Sequence, residues 1–220
     1  MKEKDQKELI VVGLIAGAIV SVTYPLQITN SFSRLGQSIM ELTMGPLIII
    51  GCLALYYFIK AQRNTVYNLL GFVFNALAGL SVTMMVAVQG SVYTIGKDYR
   101  EAADETMKQM IRQSFKVGNL AQLGMDVCFD VFISLGTVFI GIAVLKQRQI
   151  LGWLGLPGII VGLGGLAVNI ATFPIPPADQ GLFDPGPYFG IYFGLLLIAM
   201  LVAVIRQWNA ENSGVPVGKS

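Results

Sequence analysis

The sequence predicts an all-α polytopic membrane protein with six transmembrane helices and one extracytoplasmic amphipathic helix. Hydrophobic residues make up 54% of the 220 residues and charged residues only 13%, whereas a soluble domain carries about 25% charged residues. The mean hydropathy is +0.65. Six apolar segments approach the roughly 20 residues that one helical crossing needs. We therefore expect a single membrane domain over 1–220.

The six predicted spans alternate with short polar connectors. The first follows a charged head, but it is longer than the apolar region of a signal peptide and lacks a cleavage site, so we interpret it as a retained signal anchor. The second and third are joined by the connector AQRN and are expected to form an antiparallel pair. The predicted spans are 9–28, 44–60, 67–95, 118–145, 150–173 and 188–206.

Two further segments lie outside the spans. Residues 97–116 place apolar residues at helical spacing between charged ones, which predicts an amphipathic helix on the membrane surface or over the bundle. The polar tail 209–220 is expected to be disordered.

Basic residues predict the orientation of the spans. They concentrate before span one and after spans two, four and six, which lie on one side of a six-span bundle. The loop after span five has no lysine or arginine. We therefore expect both termini to be cytoplasmic and the chain to lie in a bacterial plasma membrane. The basic residues on that side are Lys2, Lys4, Lys7, Lys60, Arg63, Lys146, Arg148 and Arg206.

Composition also excludes several classes of function. The chain has no histidine, which removes histidine-ligated metal sites and Ser–His catalysis. Its net charge of +2 is too small and dispersed for nucleic-acid binding. Cys52 and Cys128 lie in apolar runs, where a thiol is usually a small buried hydrophobe. We expect no cofactor, and the lipid bilayer is the main partner.

Two aspartates in the fourth span are the strongest candidates for a site. Asp126 and Asp130 lie four residues apart and so share one helix face, about 6 Å apart along the axis. An acid inside a membrane span is functional by default, and Asp130 is the deeper one. Polar residues expected nearby are Asn75, Gln89, Asn119 and Gln122. The alternative is a solvated helix end whose acids pair with Arg112 or Lys116.

The stretch DVCFD also fits the DxxxD pattern by which intramembrane prenyltransferases hold magnesium and a diphosphate. Those enzymes carry a second acidic motif on another helix, and no second motif is present in these spans. A chance spacing is therefore the better explanation of the match.

Glycines four apart predict close helix packing, since small residues let helix backbones approach in lipid. Packing within the monomer and a homodimer face both fit this pattern. Pro157, inside the glycine-rich fifth span, predicts a kink or a broken helix. The packing glycines are Gly13, Gly17, Gly158, Gly162, Gly186, Gly190 and Gly194.

The order of features from 107 to about 177 resembles an uncharacterised family of bacterial six-helix integral membrane proteins. In that family an outer amphipathic stretch leads to an aspartate, then small residues, a basic turn and a Leu-Gly pair. Here the matching elements are TMKQMIRQSFK, Asp126, Gly136, Gly141, KQRQ and Leu151-Gly152. The family often has a histidine after the aspartate, which this chain lacks. The resemblance implies a six-helix fold and brings no established activity.

Three classes of function remain open. The first is a small permease- or carrier-like protein with an outward-facing polar cavity near Asp130. A non-catalytic assembly or regulatory partner, as a homo-oligomer or bound to another membrane protein, is the second. An intramembrane enzyme is the third.

Overall fold

The computed structural model describes residues 3–28, 33–102, 104–147 and 151–212. In these ranges every regular element is helical. Two 3₁₀ turns, Gly152–Leu154 and Pro177–Gln180, lie before the last two long helices. The long helices are α1 (Glu3–Ile28), α2 (Arg34–Gln62), α3 (Val66–Glu101), α4 (Glu105–Leu145), α5 (Gly155–Thr172) and α6 (Gly186–Asn212).

Five helical segments of the described chain are long and apolar enough to cross a membrane. They match predicted spans two to six. The first predicted span, 9–28, falls within α1, which is not among the five. The side chains of 23–28 lie outside the described part, so the count of six stays a prediction. The five segments are Leu35–Gln62, Val66–Glu101, Glu105–Leu145, Gly152–Thr172 and Gly186–Arg206.

Helices α3 and α4 are longer than the sequence predicted. Their 36 and 41 residues extend about 54 and 61 Å, nearly twice the roughly 30 Å of a bilayer's hydrocarbon core. Residues 97–116 divide between them instead of forming a separate amphipathic helix. The division arises because the Asp104 side chain caps α4 by accepting a hydrogen bond from Met107 N at 2.8 Å.

Polar caps and prolines define other helix ends. Ser33 caps α2, which therefore begins well before the predicted residue 44, and Thr65 caps α3 directly after the turn. Pro157 lies in the first turn of α5, where its missing N–H costs no helical hydrogen bond. The kink predicted from Pro157 is therefore not required. Helix α2 carries Pro46 in its interior.

The helices pack as neighbours in chain order and close through α1 and α6. α1 packs on α2 and α6, and each helix from α2 to α5 packs on the next. A large buried cluster joins α1, α2, α4 and α6 around Leu55, Ile140, Leu196 and Met200. α6 continues to Asn212, so 209–212 are helical, and the rest of the predicted tail lies outside the described residues.

Candidate functional site

A cavity of about 330 Å³ lies where α2 and α6 begin and α5 ends, against the middle of α3 and α4. We call it the acid cavity because its charged lining residues are all carboxylates. Methionine, valine, phenylalanine and proline side chains form most of the remaining wall. The polar lining residues are Glu41, Gln89, Asp126, Asp130 and Asp184.

Helix α4 supplies the two central carboxylates. Asp126 and Asp130 are four residues apart on one face, and Ser134 continues that face one turn deeper. Asp130 is 7% exposed, whereas Asp126 is half-buried. The face therefore passes from a partly solvated acid to an enclosed one, and then to a fully buried hydroxyl.

The charges that act on these two carboxylates are themselves carboxylates. Asp126 and Asp184 act on Asp130, and Asp184 and Asp179 act on Asp126. Two carboxylates about 6 Å apart repel by about 3 kcal/mol at an effective dielectric constant of about 20. A cation or proton bound in the cavity relieves this repulsion.

The alternative pairing with basic residues is not formed among the described residues. Arg112 Nε instead donates a hydrogen bond to the Tyr99 hydroxyl at 3.0 Å, and its guanidinium lies 5.1 Å from the centre of that ring. Lys116 is exposed and makes no ion pair with either aspartate. Asp130 is thus enclosed without a cationic partner in this part of the chain.

Helix α5 places an amide beside Asp130. The side chain of Asn169, 1% exposed, faces the Asp130 carboxyl group, and its Nδ2 also donates to Gly165 O at 3.0 Å. Asn169 Oδ1 and Ser134 Oγ are both buried without a hydrogen-bond partner. The wall behind Asp130 therefore holds polar atoms that the described protein leaves unsatisfied.

The loop between α5 and α6 covers one side of the acid cavity. Pro176, Pro177 and Asp184 line it. Hydrogen bonds order the loop: Gln180 Nε2 donates to Thr172 O at 3.2 Å, and Asp184 Oδ1 accepts from Gly186 N at 2.8 Å. The Asp184 carboxylate therefore both lines the acid cavity and caps the start of α6.

The structure brings only part of the predicted polar set together. Gln89 lines the acid cavity with Asp126 and Asp130, as expected. Gln122 and Asn119 are half-buried and are not among its lining residues. Asn75 is fully buried elsewhere, in the contact between α3 and α4.

A second cavity, of about 550 Å³, adjoins the acid cavity deeper in the bundle. We call it the apolar cavity because its walls are almost entirely aliphatic and aromatic. Side chains from α1, α2, α4 and α6 form most of it, and Asn75 of α3 contributes an amide. Met44, Phe129 and Gly186 line both cavities and so form the wall between them.

The predicted packing glycines fall into two groups. A Cβ on Gly13 would lie 2.0 Å from Ala54 Cβ, and one on Gly17 would lie 2.6 Å from Leu197 Cδ1. Likewise, a Cβ on Gly158 would meet the Tyr192 hydroxyl at 2.3 Å, and one on Gly162 would meet Ser134 O at 2.7 Å. These four pack against neighbours.

Gly190 and Gly194 behave differently from these four glycines. Apart from the adjoining backbone of α6, no atom of the described chain lies within 4 Å of a Cβ built at either position. Packing within the described monomer therefore does not occupy this part of α6.

Sequence reasoning missed several residues of the site. Asn169 carried a usable signal, since it is an amide inside an apolar span. Asp184 and Glu41 are not among the site residues that the sequence predicted. Both come to the acid cavity through the fold of their segments, which periodicity does not reveal.

Within the described residues, no three Cys, Asp or Glu side chains lie close enough to hold a metal ion. Comparisons of this chain with protein-family models, with curated proteins and with solved structures find no match. The resemblance to the six-helix bacterial family therefore stays a prediction.

Proposed function

We propose that this chain is a small six-span membrane carrier whose acid cavity faces away from the cytoplasm and binds a cation. The observation that carries this proposal is the burial of Asp130 without a cationic partner among the described residues. Asp130 is 7% exposed, it lies in a segment long and apolar enough to span a membrane, and no positive charge of the described residues acts on it. The cation is a proton or a positively charged substrate.

The depth of Asp130 suits such a site. It lies about 22 Å along the helix axis from Leu145, the last residue of α4. In a hydrocarbon core of about 30 Å this places it roughly 8 Å below the opposite interface. A charged side chain at a helix centre costs about 2.5–3.5 kcal/mol on insertion scales, and the cost is smaller at this depth. A bound cation offsets it.

The contacts of the basic residues support the proposed orientation. Arg63 Nη1 donates to Lys146 O at 3.1 Å, so the connector after α2 and the connector after α4 meet at one end of the bundle. The Lys146 ammonium lies 4.2 Å from the centre of the Tyr67 ring at the same end. The positive-inside rule assigns this end to the cytoplasm, and the acid cavity lies at the other.

Flux through proteoliposomes tests the proposal. We would load liposomes with a pH-sensitive dye and apply gradients of Na⁺, K⁺, tetramethylammonium and tetraphenylphosphonium in separate runs, reading both proton movement and cation uptake. We expect protein-dependent flux with at least one of these ions. Asp130→Asn should lower that rate at least tenfold.

Asp98→Asn is the matched control, because Asp98 is an exposed acid near the end of α3 and its replacement changes the net charge equally. It should keep the wild-type rate. A wild-type rate equal to that of protein-free liposomes for every ion and for protons, or full activity in the monodisperse Asp130→Asn variant, would refute the carrier.

A second candidate function is a non-catalytic assembly or regulatory partner. The observation in its favour is the open space beside Gly194 on α6, a residue that lines neither cavity, since small residues on a lipid-facing helix permit close approach of another helix. Gly194→Leu should then dissociate a complex that is measured by crosslinking in native membranes. If the crosslinks of the wild type and Gly194→Leu are the same, this candidate fails.

A further inference from the structure

We infer that the acid cavity and the apolar cavity together bind one amphipathic organic cation, with its charged end among the carboxylates and its apolar body between the helices. This inference rests on the proposed cation site at Asp130 and adds the chemical class of the ligand.

The two cavities are adjacent in the bundle. Helix α4 passes from Asp130, in the acid cavity, to Ile133, in the apolar cavity, within about 4.5 Å of helix axis. Met44 and Phe129 form the wall that the two spaces share. Met44 has an unbranched, flexible side chain, so a change of its rotamer joins the spaces at little cost.

The apolar cavity is larger than the acid cavity and is lined almost entirely by apolar groups. An inorganic cation or a proton needs only the acid cavity, and it gains nothing from the adjoining 550 Å³. A cavity of this size lies within the range of about 300–1,000 Å³ that is usual for drug-sized ligands, whose sites are mostly apolar with a few polar groups. The two cavities together match a molecule with a charged end and an apolar body.

Asn75, a lining residue of the apolar cavity, carries an unpaired buried acceptor. Ser21 Oγ, one polar atom of its lining, already donates to Gly17 O at 2.9 Å. Asn75 Nδ2 donates to Gly71 O at 2.7 Å, but Asn75 Oδ1 is fully buried without a partner. A buried acceptor left unpaired is unfavourable, and a ligand carrying an N–H or O–H group on its apolar body would satisfy it.

An aromatic ring lies at the junction of the two cavities. Phe129 precedes Asp130 on α4 and lines both cavities. An organic ammonium beside the Asp130 carboxylate lies within reach of this ring, and a desolvated cation is attracted to an aromatic face. The junction therefore favours a cation over a neutral lipid chain.

The experiment uses probes of matched shape and opposite charge. Full-length protein in nanodiscs would be titrated with tetraphenylphosphonium, with tetraphenylborate, which has nearly the same shape and a negative charge, and with tetramethylammonium, which lacks the apolar body. Empty nanodiscs correct for partition into lipid. We expect one saturable tetraphenylphosphonium site per chain, at least tenfold tighter than for either other ion.

Gly190→Leu tests the apolar part separately. Gly190 lines the apolar cavity, and a Cβ built there has no atom of a neighbouring element within 4 Å, so a leucine is expected to project into the cavity. It should weaken tetraphenylphosphonium binding at least tenfold. Gly194→Leu is the matched control, since Gly194 is equally open but does not line the cavity, and it should bind like the wild type. Gly190→Val replaces Gly190→Leu if the latter does not fold.

The outcomes separate this inference from the proposed function. Equal affinities for tetraphenylphosphonium and tetramethylammonium, both lost in Asp130→Asn and unchanged in the folded Gly190 variant, would overturn the amphipathic ligand and leave the cation site. Binding of tetraphenylborate as tight as that of tetraphenylphosphonium, unaffected by Asp130→Asn, would identify a neutral lipid-like occupant and overturn both.

Discussion

Gly136 of α4 and Asn75 of α3 are in direct contact across the interface of the two longest helices. A Cβ on Gly136 would lie 2.2 Å from Asn75 Nδ2 and 3.0 Å from the Asn75 backbone nitrogen. Because one of these neighbours is backbone, the contact cannot be relieved by a side-chain rotation alone. The buried amide of Asn75 therefore has room only because Gly136 has no side chain.

Replacing Gly136 with alanine should therefore destabilise the α3–α4 pair. We expect a loss of about 1–3 kcal/mol, the usual cost of overpacking a close contact, measured as a lower midpoint of unfolding in detergent. Gly124→Ala, on the same helix, has open space beside it and should be neutral or stabilise by up to about 1 kcal/mol, because alanine favours the helix. Equal effects of the two changes would contradict this contact.

A second pair of glycines tests the α4–α5 interface in the same way. A Cβ on Gly162 would lie 2.7 Å from Ser134 O and 2.8 Å from Val138 N, both backbone atoms of α4. Gly162→Ala should therefore separate α5 from α4, with a lower unfolding midpoint and increased proteolysis of the connector between them. Gly164→Ala, which faces open space on α5, should have neither effect. If Gly164→Ala is the more harmful change, the packing of α5 described above is wrong.

The sequence predicted spans two to six because the apolar length of each is a local property. It failed on the helix ends, because a helix does not have to stop where the lipid stops. Residues 105–116 continue α4 with the same periodicity that predicted a separate amphipathic helix, and hydropathy does not distinguish these two arrangements. The boundary is decided by Asp104, whose cap to Met107 N is visible only as geometry.

Apart from Gln89 of α3, the candidate site was predictable only along α4. The four-residue spacing of Asp126 and Asp130 follows from helical geometry, and their shared face is observed. Glu41 and Asp184 approach the same cavity from distant segments, so their placement depends on tertiary packing. Asn75 was expected beside the acids, but its position on α3 directs it to the interface with Gly136.

Asp184 combines two roles that substitutions should separate. Asp184→Asn keeps an oxygen that can accept from Gly186 N and removes the charge from the acid cavity. We expect unchanged thermal stability and a severalfold weaker affinity for tetraphenylphosphonium. Asp184→Ala removes the cap as well, so it should also lower stability by about 1 kcal/mol. The affinity would be measured in nanodiscs and the stability by thermal unfolding. Identical behaviour of the two variants in both measurements would show that the roles are not separable.

The long α3–α4 hairpin predicts accessibility from outside the cell. Gln113, near the start of α4, and Asn64, in the α2–α3 turn, are both exposed. Single cysteines at these two positions should lie on opposite sides of the membrane. They would be placed in a chain whose Cys52 and Cys128 are replaced by alanine and serine. A membrane-impermeant maleimide applied to intact cells should label Gln113→Cys fully, because α3 and α4 extend about 25–30 Å beyond the hydrocarbon core.

Asn64→Cys should react only after the membrane is permeabilised, because Lys60, Arg63 and Lys146 surround its turn and the positive-inside rule keeps such a turn in the cytoplasm. Labelling of both cysteines after permeabilisation shows that both variants are present and that both thiols can react. The reverse pattern, with Asn64→Cys labelled in intact cells and Gln113→Cys protected, would place the acid cavity on the cytoplasmic side. A carrier would then take its cation from the cytoplasm, because Asp130 faces whichever compartment the hairpin enters.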